Sequence, residues 1–169
     1  RMGVKGDEKI LDCGCGIGGV MEQISLLYPE TDIHGINISD GQIKMAEQLL
    51  GGLDNCSLSV QDFMNTDYDN NTFDIVYFCE SICHNTFEKV ISESYRILKP
   101  GGTLYIKDLV IKCSKDKLSK TNLNKLNHFI DSWCYEVFDI ETIINKIDSI
   151  GGFNLFKLVL LNLSLEHLI

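Results

Sequence analysis

The chain has 169 residues, 44% hydrophobic and 23% charged, with mean hydropathy +0.03, the composition of one globular domain large enough to bury a core. Its formal net charge of −9, with no Lys/Arg cluster, weighs against a nucleic-acid partner, and no apolar run is long enough to span a bilayer. Seven cysteines, an odd number with no signal peptide evident, fit free thiols in a reducing compartment, so the cytoplasm is the expected location.

Lys9-Ile10-Leu11-Asp12 reads as a short buried strand, followed by glycines at Gly14, Gly16, Gly18 and Gly19. Val20, Met21, Ile24, Leu27 and Tyr28 recur at helical spacing, and Pro29 closes that helix. Asp32 to Ile38 is a second strand, and Ser39 or Asp40 caps a helix stopped by Gly51-Gly52. Leu58 to Gln61 makes a third strand and Phe73 to Phe78 a fourth. Cys79 to Asn85 is a strand-to-helix loop, and Phe87 to Leu98 a helix terminated by the turn Lys99-Pro100-Gly101-Gly102. Thr103 to Val110 is the fifth strand. A polar stretch from Lys112 leads into a helix running to Trp133, Ile140 to Ile150 is another helix, and Phe153 to Leu161 a sixth strand.

Successive strand–helix alternations predict an α/β, Rossmann-like fold: a largely parallel, twisted sheet with helices on both faces. Ligands bind such sheets beyond the carboxyl ends of the strands. Residues 12–19, 37–42, 62–63 and 79–84 all fall there.

Glycine is ordered at high entropic cost, so the cluster after Asp12 marks a backbone that bends sharply or lies against a ligand. Gly14-Cys15-Gly16-Ile17-Gly18-Gly19 satisfies G-x-G-x-x-G, a pattern also used for nicotinamide dinucleotides. That alternative wants an acid closing the second strand, where Asn37 stands. Cys13 and Cys15 form C-x-C with no second pair at metal-ligand spacing, so no metal is expected.

Leu11 to Gly19 resembles the first motif of class I S-adenosylmethionine-dependent methyltransferases. Asp62, Phe73-Asp74-Ile75-Val76 and Leu98-Lys99-Pro100-Gly101-Gly102 resemble the later motifs, in order. Gly35-Ile36-Asn37-Ile38-Ser39 with Gln42, and Phe78-Cys79-Glu80-Ser81-Ile82-Cys83-His84, are similar to the sterol, tocopherol and prenyl C-methyltransferase subgroup. Phosphoethanolamine N-methyltransferases share much of this framework. The resemblance implies methyl transfer from S-adenosylmethionine, with S-adenosylhomocysteine as product, to a small lipid- or terpenoid-like acceptor, with peripheral membrane contact open. It also implies an amino-terminal lid and a seventh, antiparallel strand. Neither is found in the sequence, so residues 1–169 read as one cofactor-binding domain, a segment of a longer chain.

The resemblance assigns roles residue by residue. The backbone at Gly14, Cys15, Gly16, Gly18 and Gly19 lies against the methionine portion of the cofactor, and Asp12 lies near its ammonium. Asn37 and Gln42 face the ribose hydroxyls with Ile38 and Ser39 beside them, although plain helix capping competes for Ser39 and a solvent-facing side chain for Gln42. Asp62 accepts from the adenine amino group and Phe63 lies against the ring, or packs in the core. Cys79 and Glu80 close the site. Glu80 is the candidate to stabilise a carbocation and take its proton, with capping of the following helix as its alternative; His84 is the candidate to assist as base or hold the substrate, or it bonds the local backbone at the helix start. Phe129, Trp133, Tyr135 and Phe138 are candidate acceptor-pocket aromatics, and core packing is the better expectation for at least two of them.

Overall fold

The computed structural model describes residues 2–82, 86–111, 114–133, 138–150 and 156–162. In chain order the elements are β1 (Lys9–Cys13), α1 (Gly19–Leu27), β2 (Asp32–Asn37), α2 (Asp40–Leu50), β3 (Cys56–Val60), β4 (Phe73–Cys79), α3 (Phe87–Ile97), β5 (Leu98–Ile111), α4 (Lys120–Trp133), β6 (Phe138–Asp139), α5 (Ile140–Ile150) and β7 (Phe156–Asn162).

The strands form one seven-stranded sheet in the order β3-β2-β1-β4-β5-β6, with β7 also paired to β5. Every ladder among the described residues is parallel. The chain runs outward from β1 through β2 to β3, then returns to β4 on the other side of β1. The reversal opens a crevice between the carboxyl ends of β1 and β4.

The central strands are buried on both faces, which explains their nearly unbroken apolar runs. Ile10, Ile75 and Tyr77 pack with Met21 and Ile24 of α1 and with Ile43, Ala46 and Leu50 of α2. Leu11, Val76 and Phe78 point the other way, against Phe87, Val90 and Ile91 of α3 and Ile143 and Ile147 of α5. Burial of each such side chain contributes about 1.5–3 kcal/mol. Gly35 of β2 leaves room for the Met21 side chain of α1: a Cβ there would collide with Met21 Sδ and lie 2.9 Å from Leu58 Cδ2.

Three elements differ from the sequence reading. β3 begins at Cys56, two residues earlier than expected. The stretch Lys99 to Gly102 lies within β5: Phe73 pairs with Leu98 and Ile75 with Thr103, so the intervening residues bulge from the ladder, with Gly101 at φ 81°. The expected sixth strand is β7, and β6 precedes it with only two residues, too few to leave any alternation in the sequence.

Asp74 fastens the amino end of the sheet, its Oδ2 accepting from the Lys9 N–H at 2.9 Å and from Lys99 Nζ at 2.7 Å. Two residues of the expected motifs thus meet in an ion pair at the end of the sheet opposite the crevice. A polar cavity of about 470 Å³ lined by Lys5, Asp74 and Lys99 lies at this end.

Candidate active site

At the end of β1 the chain turns back on itself, and the N–H groups of Gly14 and Cys15 both donate to the Ile36 carbonyl, at 2.9 and 3.0 Å. Gly14, Gly16 and Gly18 have φ of 83°, 56° and 88°, a region closed to most side chains. A Cβ on Gly14 would lie 2.6 Å from Ser81 Cβ, whereas nothing lies within 4 Å of one on Gly16 or Gly19. The backbone at Gly16 and Gly19 is therefore open to a ligand. No side chain caps α1, whose first N–H groups and dipole favour an anion such as a carboxylate. These features fit the methionine end of S-adenosylmethionine.

Asp12 is 2% exposed, and Tyr77 on the adjacent strand donates its hydroxyl to Asp12 Oδ2 at 2.5 Å. Burial pushes the Asp12 carboxyl up to about 7, with the Tyr77 bond opposing the rise. Burial likewise pushes the Cys15 thiol up to about 12, and its side chain lies in the core with Met21 and Ile24. Of Cys15, only the backbone is available to a cofactor.

At the end of β2 the expected residues are brought together and bonded to one another. Asn37 Nδ2 donates to Gln42 Oε1 at 2.7 Å, Asn37 Oδ1 accepts from the Ser39 N–H at 2.9 Å, and Ser39 Oγ caps α2 through the Gln42 N–H. Ser39 thus caps α2, and Gln42 is exposed. Ile38 is 74% exposed beside them. After β3, Asp62 is exposed and its Oδ1 accepts from the Met64 N–H at 2.8 Å. Phe63 is buried, its ring edge-on to Phe78 at 5.4 Å. The loop behind them is anchored by Glu93 of α3, whose Oε1 takes the Thr66 N–H at 2.8 Å and hydroxyl at 2.7 Å while Arg96 pairs with the same carboxylate.

β4 delivers Cys79 and Glu80 to the crevice. Glu80 has φ 58°, a left-handed backbone uncommon for a non-glycine residue. Its N–H donates to the Lys107 carbonyl at 2.8 Å, and its Oε1 lies 3.1 Å from Lys107 Nζ. Ser81 then donates to the Cys13 carbonyl at 2.6 Å, packing against the glycine turn. The buried Asp108 accepts from the Ile82 N–H at 3.1 Å and the Leu109 N–H at 2.7 Å, fixing where the chain leaves the strand. His84 and Tyr135 lie outside the described residues, as does the side chain of Trp133. Phe138 packs on Phe87 at 5.2 Å, and Phe129 lies against Ile111 and Leu126, so both serve the core.

The structure places the described parts of these clusters, residues 12–19, 37–42, 62–63 and 79–82, at the carboxyl ends of the strands, and shows cross-strand contacts at four residues to which the sequence reading gave no role: Tyr77, Ser81, Lys107 and Asp108. Two adjacent charges in the apolar run of β5 were the available signal for Lys107 and Asp108.

A parallel sheet with a glycine turn after β1, an uncapped helix and a carboxylate at the end of β4 define a Rossmann-like methyltransferase architecture. The pattern of the methyltransferase domain family matches residues 10–102. The chain belongs to this family, in its S-adenosylmethionine-dependent branch. It is 41% identical over 126 residues to a sterol 24-C-methyltransferase of Kluyveromyces lactis, covering 72% of this chain and 33% of that protein. A sterol 24-C-methyltransferase of Schizosaccharomyces pombe is 32% identical over 167 residues, 93% of this chain and 42% of that one. The structure of Haemonchus contortus phosphoethanolamine N-methyltransferase 2 in complex with S-adenosyl-L-methionine superimposes with TM-score 0.78 at 25% identity, covering 89% of this chain and 34% of that one. The chain spans about a third of the length of the first curated relatives it matches.

Proposed function

We propose that the protein transfers a methyl group from S-adenosylmethionine to an alkene carbon of a sterol-like or terpenoid lipid. Glu80 carries this reading: a half-exposed carboxylate, held in a strained backbone at the crevice and one residue from the side chain that packs on the glycine turn. The likeness to sterol 24-C-methyltransferases supports carbon as the acceptor atom.

When bound, S-adenosylmethionine supplies an electrophilic methyl group on a sulfonium. The α1 start and the Gly14–Gly19 backbone would hold its carboxylate, and Asp12 would face its ammonium. Asn37 and Gln42 exchange their mutual bond for the ribose hydroxyls, with Ile38 and Ser39 alongside. Asp62 and Phe63 take the adenine, and Cys79 lines the floor. That methyl would be supplied in line to the alkene, whose π pair would form the new C–C bond as the methyl–sulfur bond broke, releasing S-adenosylhomocysteine and leaving a carbocation on the acceptor. Glu80 stabilises that cation and accepts the proton whose loss restores a double bond, with His84 assisting, a contribution of roughly 10²–10⁴-fold. Cytoplasmic placement, with the lipid met at a membrane surface, belongs to the same proposal, and the unpaired thiols Cys13, Cys15, Cys56 and Cys79 support a reducing compartment.

Methylation of a phosphobase nitrogen is the second reading, favoured by the likeness to the Haemonchus enzyme. Incubation with methyl-labelled S-adenosylmethionine and sterol, prenyl, quinone and phosphobase acceptors separates the two. Label on a sterol or prenyl carbon that falls with Glu80→Gln supports the first reading. Label on the phosphobase alone supports the second, and binding without any labelling makes the domain a cofactor holder.

A further inference from the structure

Lys107 of β5 stands opposite Cys79 in the β4 ladder and meets Glu80 twice, through its carbonyl at 2.8 Å and its ammonium at 3.1 Å. The same ammonium lies 3.9 Å from Cys79 Sγ. The Lys107 and Glu80 side chains are 35% and 53% exposed, so the pair sits at the lip of the crevice. Asp108, the next acid along β5, is turned to the Ile82 and Leu109 amides. Glu80 is the carboxylate that this ammonium meets at ion-pair distance among the described residues.

A half-exposed ion pair is weak, and a second cation brought to the same carboxylate competes with the first. The reactant and product of the proposed reaction differ in just this property. S-adenosylmethionine carries a sulfonium charge, whereas S-adenosylhomocysteine has a neutral thioether.

We propose that Lys107 is a positioning residue that sets how strongly the protein prefers S-adenosylmethionine over S-adenosylhomocysteine: its ammonium holds Glu80 in the free and product-bound states and yields it to the sulfonium. The proposal rests on the proposed role of Glu80 as the carboxylate that stabilises positive charge at the methyl-transfer centre, which puts it beside the sulfonium.

Calorimetric titration of the full chain with each ligand tests it, using wild type, Lys107→Met, Lys107→Arg, Glu80→Gln and the Glu80→Gln/Lys107→Met double variant. Lys107→Met removes the competitor, so the affinity ratio of S-adenosylmethionine to S-adenosylhomocysteine rises roughly two- to fivefold, an increase that shrinks with added salt. Lys107→Arg keeps the wild-type ratio. Glu80→Gln lowers the ratio, and adding Lys107→Met to it changes nothing further. A ratio unmoved by Lys107→Met but lowered by Glu80→Gln overturns the role of Lys107 and leaves Glu80 at the sulfur. A ratio unmoved by Glu80→Gln overturns the reading beneath it, and a wild type that binds neither ligand overturns both.

Discussion

Tyr77 and Asp12, on neighbouring parallel strands, are joined by a single hydrogen bond of 2.5 Å that leads from the sheet interior to the glycine turn. The carboxyl it serves is nearly inaccessible to water, and burial holds its pKa at about 7, above its ordinary value of 3.8. Keeping Asp12 ionised in the folded protein therefore costs free energy.

The sign of the pH dependence follows. Between pH 3.8 and about 7 the folded state holds a proton at Asp12 that the unfolded state has lost, so stability falls as pH rises and levels off above about 7. Asp12→Asn abolishes this slope and stabilises the unliganded protein at pH 8 by about 2 kcal/mol, or roughly 4–8 °C in Tm. It also weakens S-adenosylmethionine, whose ammonium loses its carboxylate. Denaturation against pH checks the first effect and calorimetry the second; parallel pH profiles for the two proteins would count against the assignment.

Tyr77→Phe acts in the opposite sense. It removes the bond that lowers the Asp12 pKa, so the plateau moves above the wild-type value of about 7. The buried carboxyl loses its partner at a cost of about 1–3 kcal/mol. The same pH series measures both quantities.

Two glycines of one turn separate folding from binding. Gly14→Ala is forced against Ser81 in a left-handed backbone and destabilises the fold by about 1–3 kcal/mol. Gly16→Ala meets open space and carries only the backbone strain of about 1–2 kcal/mol. Its larger effect is on S-adenosylmethionine, which it weakens by about tenfold or more. Thermal unfolding with calorimetry of both variants decides; undiminished affinity in Gly16→Ala moves the ligand away from this part of the turn.

The amino end of the sheet gives the complementary case. Asp74→Ala removes the partner of both Lys9 and Lys99 and costs about 1–2 kcal/mol, whereas Lys99→Met costs about 0.5 kcal/mol. Affinity for S-adenosylmethionine stays unchanged in both, because the crevice lies at the opposite ends of the strands. Urea denaturation and calorimetry measure the two effects independently.

The order of elements up to β5 was legible because the inner strands β1 and β4 carry apolar runs and the first four strands each give way to a change of chemistry, at Asp12, Asn37, Asp62 and Glu80. Contacts across strands were not. Tyr77 reads as one more strand-former in Phe73 to Cys79, and only the register of β1 against β4 sets its hydroxyl beside Asp12. Nothing in the sequence sets Lys107 beside Glu80; the β4 ladder does, by placing it opposite Cys79. Asn37 and Gln42 were each expected to face a ligand, and their mutual bond depends on the first turn of α2 folding back over the end of β2. The two residues of β6 leave no period to detect.

Glu93 of α3 reaches across to Thr66 and, through Arg96, to the Tyr68 carbonyl, so the wall carrying Asp62 and Phe63 is moored before any ligand arrives. A moored wall has little configurational freedom left to surrender, which favours docking in one kinetic step on this side of the crevice. Here the cleft acts as a mould, and any slow rearrangement during binding belongs to other segments.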